Sequence, residues 1–472
     1  MNENVSIENF VAQPRAFIQD GDVLGLILAS PSCIAVIDQI EDARRLREDA
    51  RRLTERRVAT LRDWKDFADK RIVSDTACVK LDAALQQAEE ESTRRENKER
   101  PRRPLPEGFY ESVFNATWSH VVGFPEGEGE DMVVRMEVRE GQRPQELWEY
   151  TKAVRTFLPV EGEGQFRPPR PRLVILSSEK LWPYSLGDTE RIADCYINIE
   201  VHRVWKIVEG DLEGVFPPPS RWASNMRPRL LVGTPGIGKS MAVGSYLLYQ
   251  LLHYDAEKLH VVVYCFGKDF AYLFDKKART VAEYEGVINI RRAMINLAES
   301  GMKGYIIIDM AKFTEEPAKN FVPSPEWGIT MLSSPNENNF KAWKKHMRAV
   351  KIIINCPDEN DVKAMCAWET RNTTEEEQVE YWKEMQKRMN DVGPIPRCIF
   401  DDDQYKDRVE DAKEVLAGIN ASNAINYSMI GNFEKWPSND ASHKLVKAVR
   451  VIREGYLERF VNLPACFPLE TK

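Results

Sequence analysis

Gly233-Thr234-Pro235-Gly236-Ile237-Gly238-Lys239-Ser240 sets a lysine and a hydroxyl directly behind a run of spaced glycines. The spacing is G-x-x-x-x-G-K-[ST], and its chemistry is the holding of a polyphosphate. Glycines let the backbone turn so that successive N–H groups face phosphate oxygens. A helix starting near Lys239 adds the positive end of its dipole. Lys239 then reaches the terminal phosphates and the Ser240 hydroxyl ligates Mg²⁺, with Met241 leading the loop into the helix. A purely structural glycine turn is the alternative. The apolar strand Leu230–Val232 before it and the apolar-rich segment running to Leu252 after it argue against that.

Mg²⁺ also needs an acid at the tip of a neighbouring strand. Tyr305-Ile306-Ile307-Ile308-Asp309 offers one, because four apolar residues bury the strand and Asp309 emerges at its end. The strand-like Leu259–Phe266 falls between the two motifs, as in the additional-strand branch of P-loop NTPases that holds the AAA-type and STAND-type ATPases. That branch usually places a glutamate directly after the aspartate to orient the attacking water. Here the next residue is Met310, and Glu315 and Glu316 follow only several positions later. Nucleotide binding is expected; rapid hydrolysis lacks its usual residue.

Two further positions are candidates. Ser333-Ser334-Pro335-Asn336 ends the next apolar strand, where a sensor residue would meet the γ-phosphate or where Ser334 or Asn336 would cap the following helix. Arg397, in "GPIPRCIF", follows the α/β segment at the place where a lid offers an arginine to the nucleotide. Such a finger is worth about 10³–10⁵ in turnover. A surface or packing arginine is the plainer alternative.

The elements that must position these residues alternate. Strands at Leu230–Val232, Leu259–Phe266, Gly304–Asp309, Gly328–Ser334 and Ala349–Cys356 are separated by helical segments, among them Val287–Glu299. Continuous apolar runs in the strands indicate a parallel sheet covered on both faces. "AYLFDKKARTVAEY" reads as an inserted hairpin. The expected fold is α/β: a P-loop core of the additional-strand (AAA/STAND-like) branch at 221–357. Before it come an N-terminal region with a long charged helix and basic linker (1–108) and a mixed α+β domain (109–220). A helical, lid-like C-terminal region follows (358–472).

Within the first region, Asp38 to Arg95 contains no proline or glycine. Leu46, Ala50, Leu53, Thr60, Trp64 and Phe67 approach 3-4 spacing, broken where Arg57 takes an apolar slot. A long amphipathic helix or a helix pair is expected, with a coiled coil as the alternative. The following "RRENKERPRRP" reads as an exposed linker or as a nuclear import or phosphate-contacting strip.

A formal net charge of −8 argues against a chain that coats nucleic acid along its whole surface, and leaves direct RNA or DNA binding to a local basic patch. The eight cysteines include no CxxC and no histidine partner at metal-ligand spacing, as expected in a reducing compartment. The N-terminal residues lack a secretory pattern and no apolar run reaches about 18 residues, so a cytosolic or nuclear protein without membrane spans is expected. No N/T-K-x-D guanine motif appears in a suitable place, which favours ATP.

Taken together, "GTPGIGKSMAVGSYLLYQLLHYD", "KGYIIIDMAK", "SSPNENNFKAW", "INCPDENDVKAMCAW" and "GPIPRCIFDDDQYKDR" resemble the retrotransposon hot spot (RHS) proteins of kinetoplastid protozoa. "ESVFNATWSHVV" and "CYINIEVHRVWKIVEGDL" fit the same family, so the resemblance runs from Glu111 to Glu414. It implies a nuclear location, with perinuclear or cytoplasmic members, and protein partners in complexes linked to transcription by RNA polymerase II or to mRNA export. Residues carried over are Gly233 to Ser240 and Asp309. Two functions stay open: a Mg²⁺-dependent ATPase in such a complex, or a nucleotide-dependent switch or scaffold with negligible hydrolysis.

Overall fold

The computed structural model describes residues 45–46, 48–67, 69–85, 105–126, 133–151, 156–157, 170–187, 191–214, 226–267, 270–310, 321–418, 445–453 and 457–466. The chain divides into two compact units, Met1–Leu105 and Pro106–Lys472.

In the first unit the charged segment does not run as one helix. Helical residues 48–55 stop before Arg57, whose φ of 64° is left-handed. Helix α1 (Leu61–Asp66) restarts behind a reciprocal capping box between Thr60 and Asp63, and residues 75–85 form a further helix. These breaks fold Leu53, Leu61, Trp64 and Leu81 onto one another in a small core. The Trp64 indole donates to Asp82 at 2.9 Å, and Lys70 donates to the same carboxylate oxygen at 2.7 Å. The arginine that interrupts the apolar spacing therefore marks a chain turn, and neither the long helix nor the coiled coil is formed among the described residues. The basic strip beyond Arg94 lies outside them.

The second unit begins with helix α2 (Phe109–Phe114) and a four-stranded antiparallel sheet ordered β2-β1-β3-β4. Its strands are β1 (Thr117–Glu126), β2 (Val133–Arg139), β3 (Pro171–Ser177) and β4 (Asp194–Ile197). Helix α3 (Ile199–Leu212) follows, capped by the Asn198 side chain. A seven-stranded sheet comes next: β5 (Arg229–Val232), β6 (Val261–Phe266), β7 (Phe270–Asp275), β8 (Thr280–Glu285), β9 (Gly304–Asp309), β10 (Gly328–Ser333) and β11 (Val350–Ile353), ordered β8-β7-β6-β9-β10-β5-β11. The five strands β6, β9, β10, β5 and β11 pair in parallel, while the expected hairpin β7–β8 extends the β6 edge antiparallel.

Every residue of β5, β9 and β10 is buried, which is why these strands are continuously apolar rather than alternating. Helices α4 (Ser245–His253), α5 (Val287–Glu299) and α6 (Lys341–Met347) connect them. Ile290 and Met294 of α5 and Trp343 of α6 close the core over Leu230, Val263, Ile306, Ile308 and Met331.

Beyond the sheet come α7 (Glu359–Glu369), α8 (Glu375–Val392), the short α9 (Pro396–Phe400) and α10 (Asp402–Gly418). Helix α7 packs Ala364, Met365 and Trp368 against Val121, Leu173 and Ile175 of the four-stranded sheet. The sequence predicts a helical C-terminal region, but the region is not all helical. An antiparallel hairpin, β12 (Val446–Arg453) with β13 (Leu457–Pro464), follows the helices. Its "VKAVRV" alternates, with Val446 and Ala448 buried and Lys447 and Val449 partly exposed, a period of two that no helix uses. Among the described residues no helix is long and apolar enough to cross a membrane, and the cysteines are free thiols.

Candidate functional site

Strand β5 ends at Val232 and the chain turns at once. A methyl group added to Gly233 would stand 2.5 Å from Ile354 Cγ2 and 3.1 Å from the Ile354 carbonyl oxygen, so no side chain fits there. Gly236 and Gly238 take φ of 85° and 90°, the left-handed region that glycine enters freely. Ile237 is buried against Gly233, while Pro235 is exposed. Lys239–Gly244 then forms a π-helical turn before α4, with Val243 N–H donating to Gly238 O at 3.2 Å. Such turns widen a helix start and recur at functional sites.

The predicted residues gather around this turn. The Lys239 ammonium donates to the carbonyls of Gly233 and Thr234, both at 2.8 Å. Burial pushes its pKa down to about 7, the Asp309 carboxylate opposing that shift and the Arg397 guanidinium adding to it. Asp309 ends β9 and is 3% exposed. Strand β10 lies between β9 and β5, with Leu332 beside Asp309 and Ser333 beside Val232. Loop, acid and the tip of β10 therefore share one end of the sheet, the end where open α/β sheets bind ligands.

The polar run after β10 divides its work. The Asn336 side chain accepts from Asn338 N–H at 3.1 Å, and Ser334 Oγ accepts from Asn339 at 3.2 Å, so both serve the following turn. Ser333 is 1% exposed and its hydroxyl has no hydrogen-bond partner among the described residues. A buried orphan hydroxyl beside the loop strand suits a site that takes up an oxygen-rich ligand. Met310 points elsewhere: its side chain is part of the apolar core with Ile308, Phe321 and Trp327. Glu315 and Glu316 lie outside the described residues.

Arg397 is brought to the loop by α9. Its backbone N–H donates to Gly236 O at 3.2 Å, and a methyl on Gly236 would approach Ile395 Cγ2 to 2.8 Å and Arg397 Cβ to 3.3 Å. Met241 is partly exposed at the first helical turn.

Two relationships escaped sequence reasoning. The Tyr264 hydroxyl, on β6, donates to Ser240 O at 3.1 Å and fills the space that a side chain at Gly244 would occupy. Thr234 is 1% exposed and its hydroxyl oxygen accepts from Ala448 N–H of the hairpin at 2.9 Å. Only the fold brings such partners together.

No group of three or more histidine, cysteine, aspartate or glutamate side chains able to hold a metal occurs among the described residues. The donor set at the loop, one hydroxyl at Ser240 and one carboxylate at Asp309, fits Mg²⁺, which keeps water and phosphate oxygens as its other ligands.

Residues 230–467 match the retrotransposon hot spot protein P-loop domain, residues 110–222 the N-terminal region of retrotransposon hot spot proteins, and residues 1–43 a domain of unknown function. No curated protein matches the chain. Among solved structures, the Aeropyrum pernix ORC2 protein, in ADPNP–ADP complexes, is similar over 58% of this chain and 90% of its own, with 11% identity and a TM-score of 0.28.

Proposed function

The chain belongs to the retrotransposon hot spot protein family, and on that premise we propose that its P-loop domain binds ATP·Mg²⁺ as a member of the additional-strand branch of NTPases. The observation that carries this is the sheet order. Strand β10, tipped by the orphan hydroxyl of Ser333, is inserted between the loop strand β5 and the Asp309 strand β9. In this reading the loop amides and Lys239 take the β- and γ-phosphates. Ser240 and Asp309 would hold Mg²⁺, Ser333 would meet the γ-phosphate, and Arg397 would complete the site from α9. Mg²⁺ would neutralise phosphate charge there.

The family resemblance supports action in a nuclear complex linked to transcription or mRNA export, with the nucleotide cycle moving an attached segment. A second reading, a nucleotide-dependent switch with negligible turnover, is favoured by one observation: the position of the usual catalytic glutamate is occupied by Met310, packed in the apolar core.

The test is nucleotide binding and steady-state hydrolysis on purified protein, wild type beside Lys239→Ala and Asp309→Ala. Binding that Lys239→Ala weakens, with turnover lost in both variants, supports the ATPase. Tight binding without turnover selects the switch. A wild type that binds no nucleotide removes both.

A further inference from the structure

We propose that the hairpin β12–β13 is part of the phosphate site, with Thr234 as the positioning residue that joins the two; this rests on the nucleotide-binding reading and deepens it. Thr234 occupies a variable position of the loop motif, yet its buried hydroxyl faces the hairpin. Strand β12 pairs with β13 on one edge. On its other edge it meets side-chain acceptors instead of a backbone ladder: Ala448 N–H donates to Thr234 Oγ1 at 2.9 Å and Arg450 N–H to Asn355 Oδ1 at 2.8 Å. Strand β13 docks with the roles reversed, since its Glu458 side chain accepts from Ile353 N–H at 2.7 Å and from Arg203 at 2.6 Å.

The hairpin also reaches the loop by a second route. Gly393 lies flat against the Ala465 backbone, and two residues later Ile395 abuts Gly236. The loop is thus buttressed at Thr234 and at Gly236 by segments that the hairpin itself holds in place.

A strand edge satisfied by single side-chain oxygens is held by separate polar contacts, each individually breakable. The Lys239 ammonium carries three N–H donors and spends two on the Gly233 and Thr234 carbonyls, so the third is left for a phosphate and the same side chain ties that phosphate to the segment that Thr234 anchors. If the docked hairpin fixes the loop shape that receives phosphate, nucleotide strengthens docking by the same factor by which docking strengthens nucleotide binding.

The experiment is amide hydrogen exchange of the hairpin, with and without saturating ATP·Mg²⁺, beside calorimetric affinity, on the full chain. Wild type is compared with Thr234→Ser, which keeps the acceptor, and Thr234→Val, which keeps the shape and loses it. Nucleotide is expected to slow exchange at Ala448 and its neighbours in wild type and Thr234→Ser. In Thr234→Val the response disappears and affinity falls roughly 5- to 20-fold. Asn355→Ala, outside the loop motif, frees the same strand edge and is expected to blunt the response if Thr234→Val does not fold. Wild type that binds ATP while hairpin exchange stays unchanged overturns the coupling alone. So does Thr234→Val that behaves as wild type. Absence of ATP binding in the wild type overturns the nucleotide reading and this inference with it.

Discussion

The Tyr264 hydroxyl donates to the carbonyl oxygen of Ser240 at 3.1 Å, across the first turn of the helix that follows the phosphate loop. A tyrosine of β6, separated from the loop strand by β9 and β10 in the sheet, thereby holds the backbone of the residue that would ligate Mg²⁺. Tyr264→Phe keeps the packing and removes one buried hydrogen bond, worth about 1 kcal/mol. Nucleotide affinity in the presence of Mg²⁺ is expected to fall several-fold, with a smaller loss without the metal. Equal losses in both titrations would mean that the hydroxyl has no part in setting Ser240.

Ser333→Ala separates stability from function. The hydroxyl is buried without a partner among the described residues, and carrying it costs roughly 1–3 kcal/mol of desolvation. Its removal is expected to leave thermal stability unchanged or raised while ATP affinity or turnover falls. A destabilised variant with unaltered nucleotide binding would make Ser333 an ordinary packing residue.

Met310→Glu restores the residue type that the additional-strand branch usually carries, and is expected to fail. The side chain at this position lies in the apolar core, so the carboxylate would be buried without a cation, at a cost of roughly 3–5 kcal/mol. Thermal denaturation should show the loss, with no gain in hydrolysis. A stable and faster variant would show that position 310 can turn to the nucleotide.

Acid should loosen the hairpin through Glu200. Burial alone would raise the pKa of this carboxyl, but Arg203 and Arg450 outweigh burial and hold it below its ordinary 4.5. Arg450 donates to both of its oxygens, at 2.9 and 2.6 Å. A carboxyl lowered on folding contributes stability that is whole above about pH 4.5 and is lost as pH falls through the folded value. Proteolytic cleavage of the hairpin should rise on acidification below that pH, and Glu200→Gln should flatten the profile by starting from a weakened state. An identical pH profile in the variant would place the acid sensitivity elsewhere.

The loop, Asp309 and the alternation of strands were legible in the sequence because each is a local pattern: glycine spacing, an apolar run ending in acid, apolar periods. Arg397 was legible only as a position after the core; its contact with Gly236 needed the turn at Gly393 and the seating of Ile395. The Tyr264–Ser240 and Thr234–Ala448 bonds join residues far apart in the chain, and nothing in either local stretch announces its partner. The hairpin was a missed local signal, since the alternation in "VKAVRV" marks a strand beside a segment otherwise rich in helix. At Arg57 the break in apolar spacing was itself legible, and of the two expectations, one long helix or a helix pair, the chain takes separate helices turned at that residue.

The bond between Thr234 and Ala448 spans 214 positions. Strand β5 takes its ladder partners from β10 and β11, whereas the back of the loop waits for a closure of still longer range, whose entropy cost grows slowly with length but whose search is slow. The order of maturation follows. A chain that has folded through α10 already displays the phosphate motif and most of its sheet, yet lacks the support behind Thr234. If the hairpin supports the loop as proposed, competence for ligand is acquired near the end of folding, and partly folded forms carry the motif before they carry the site.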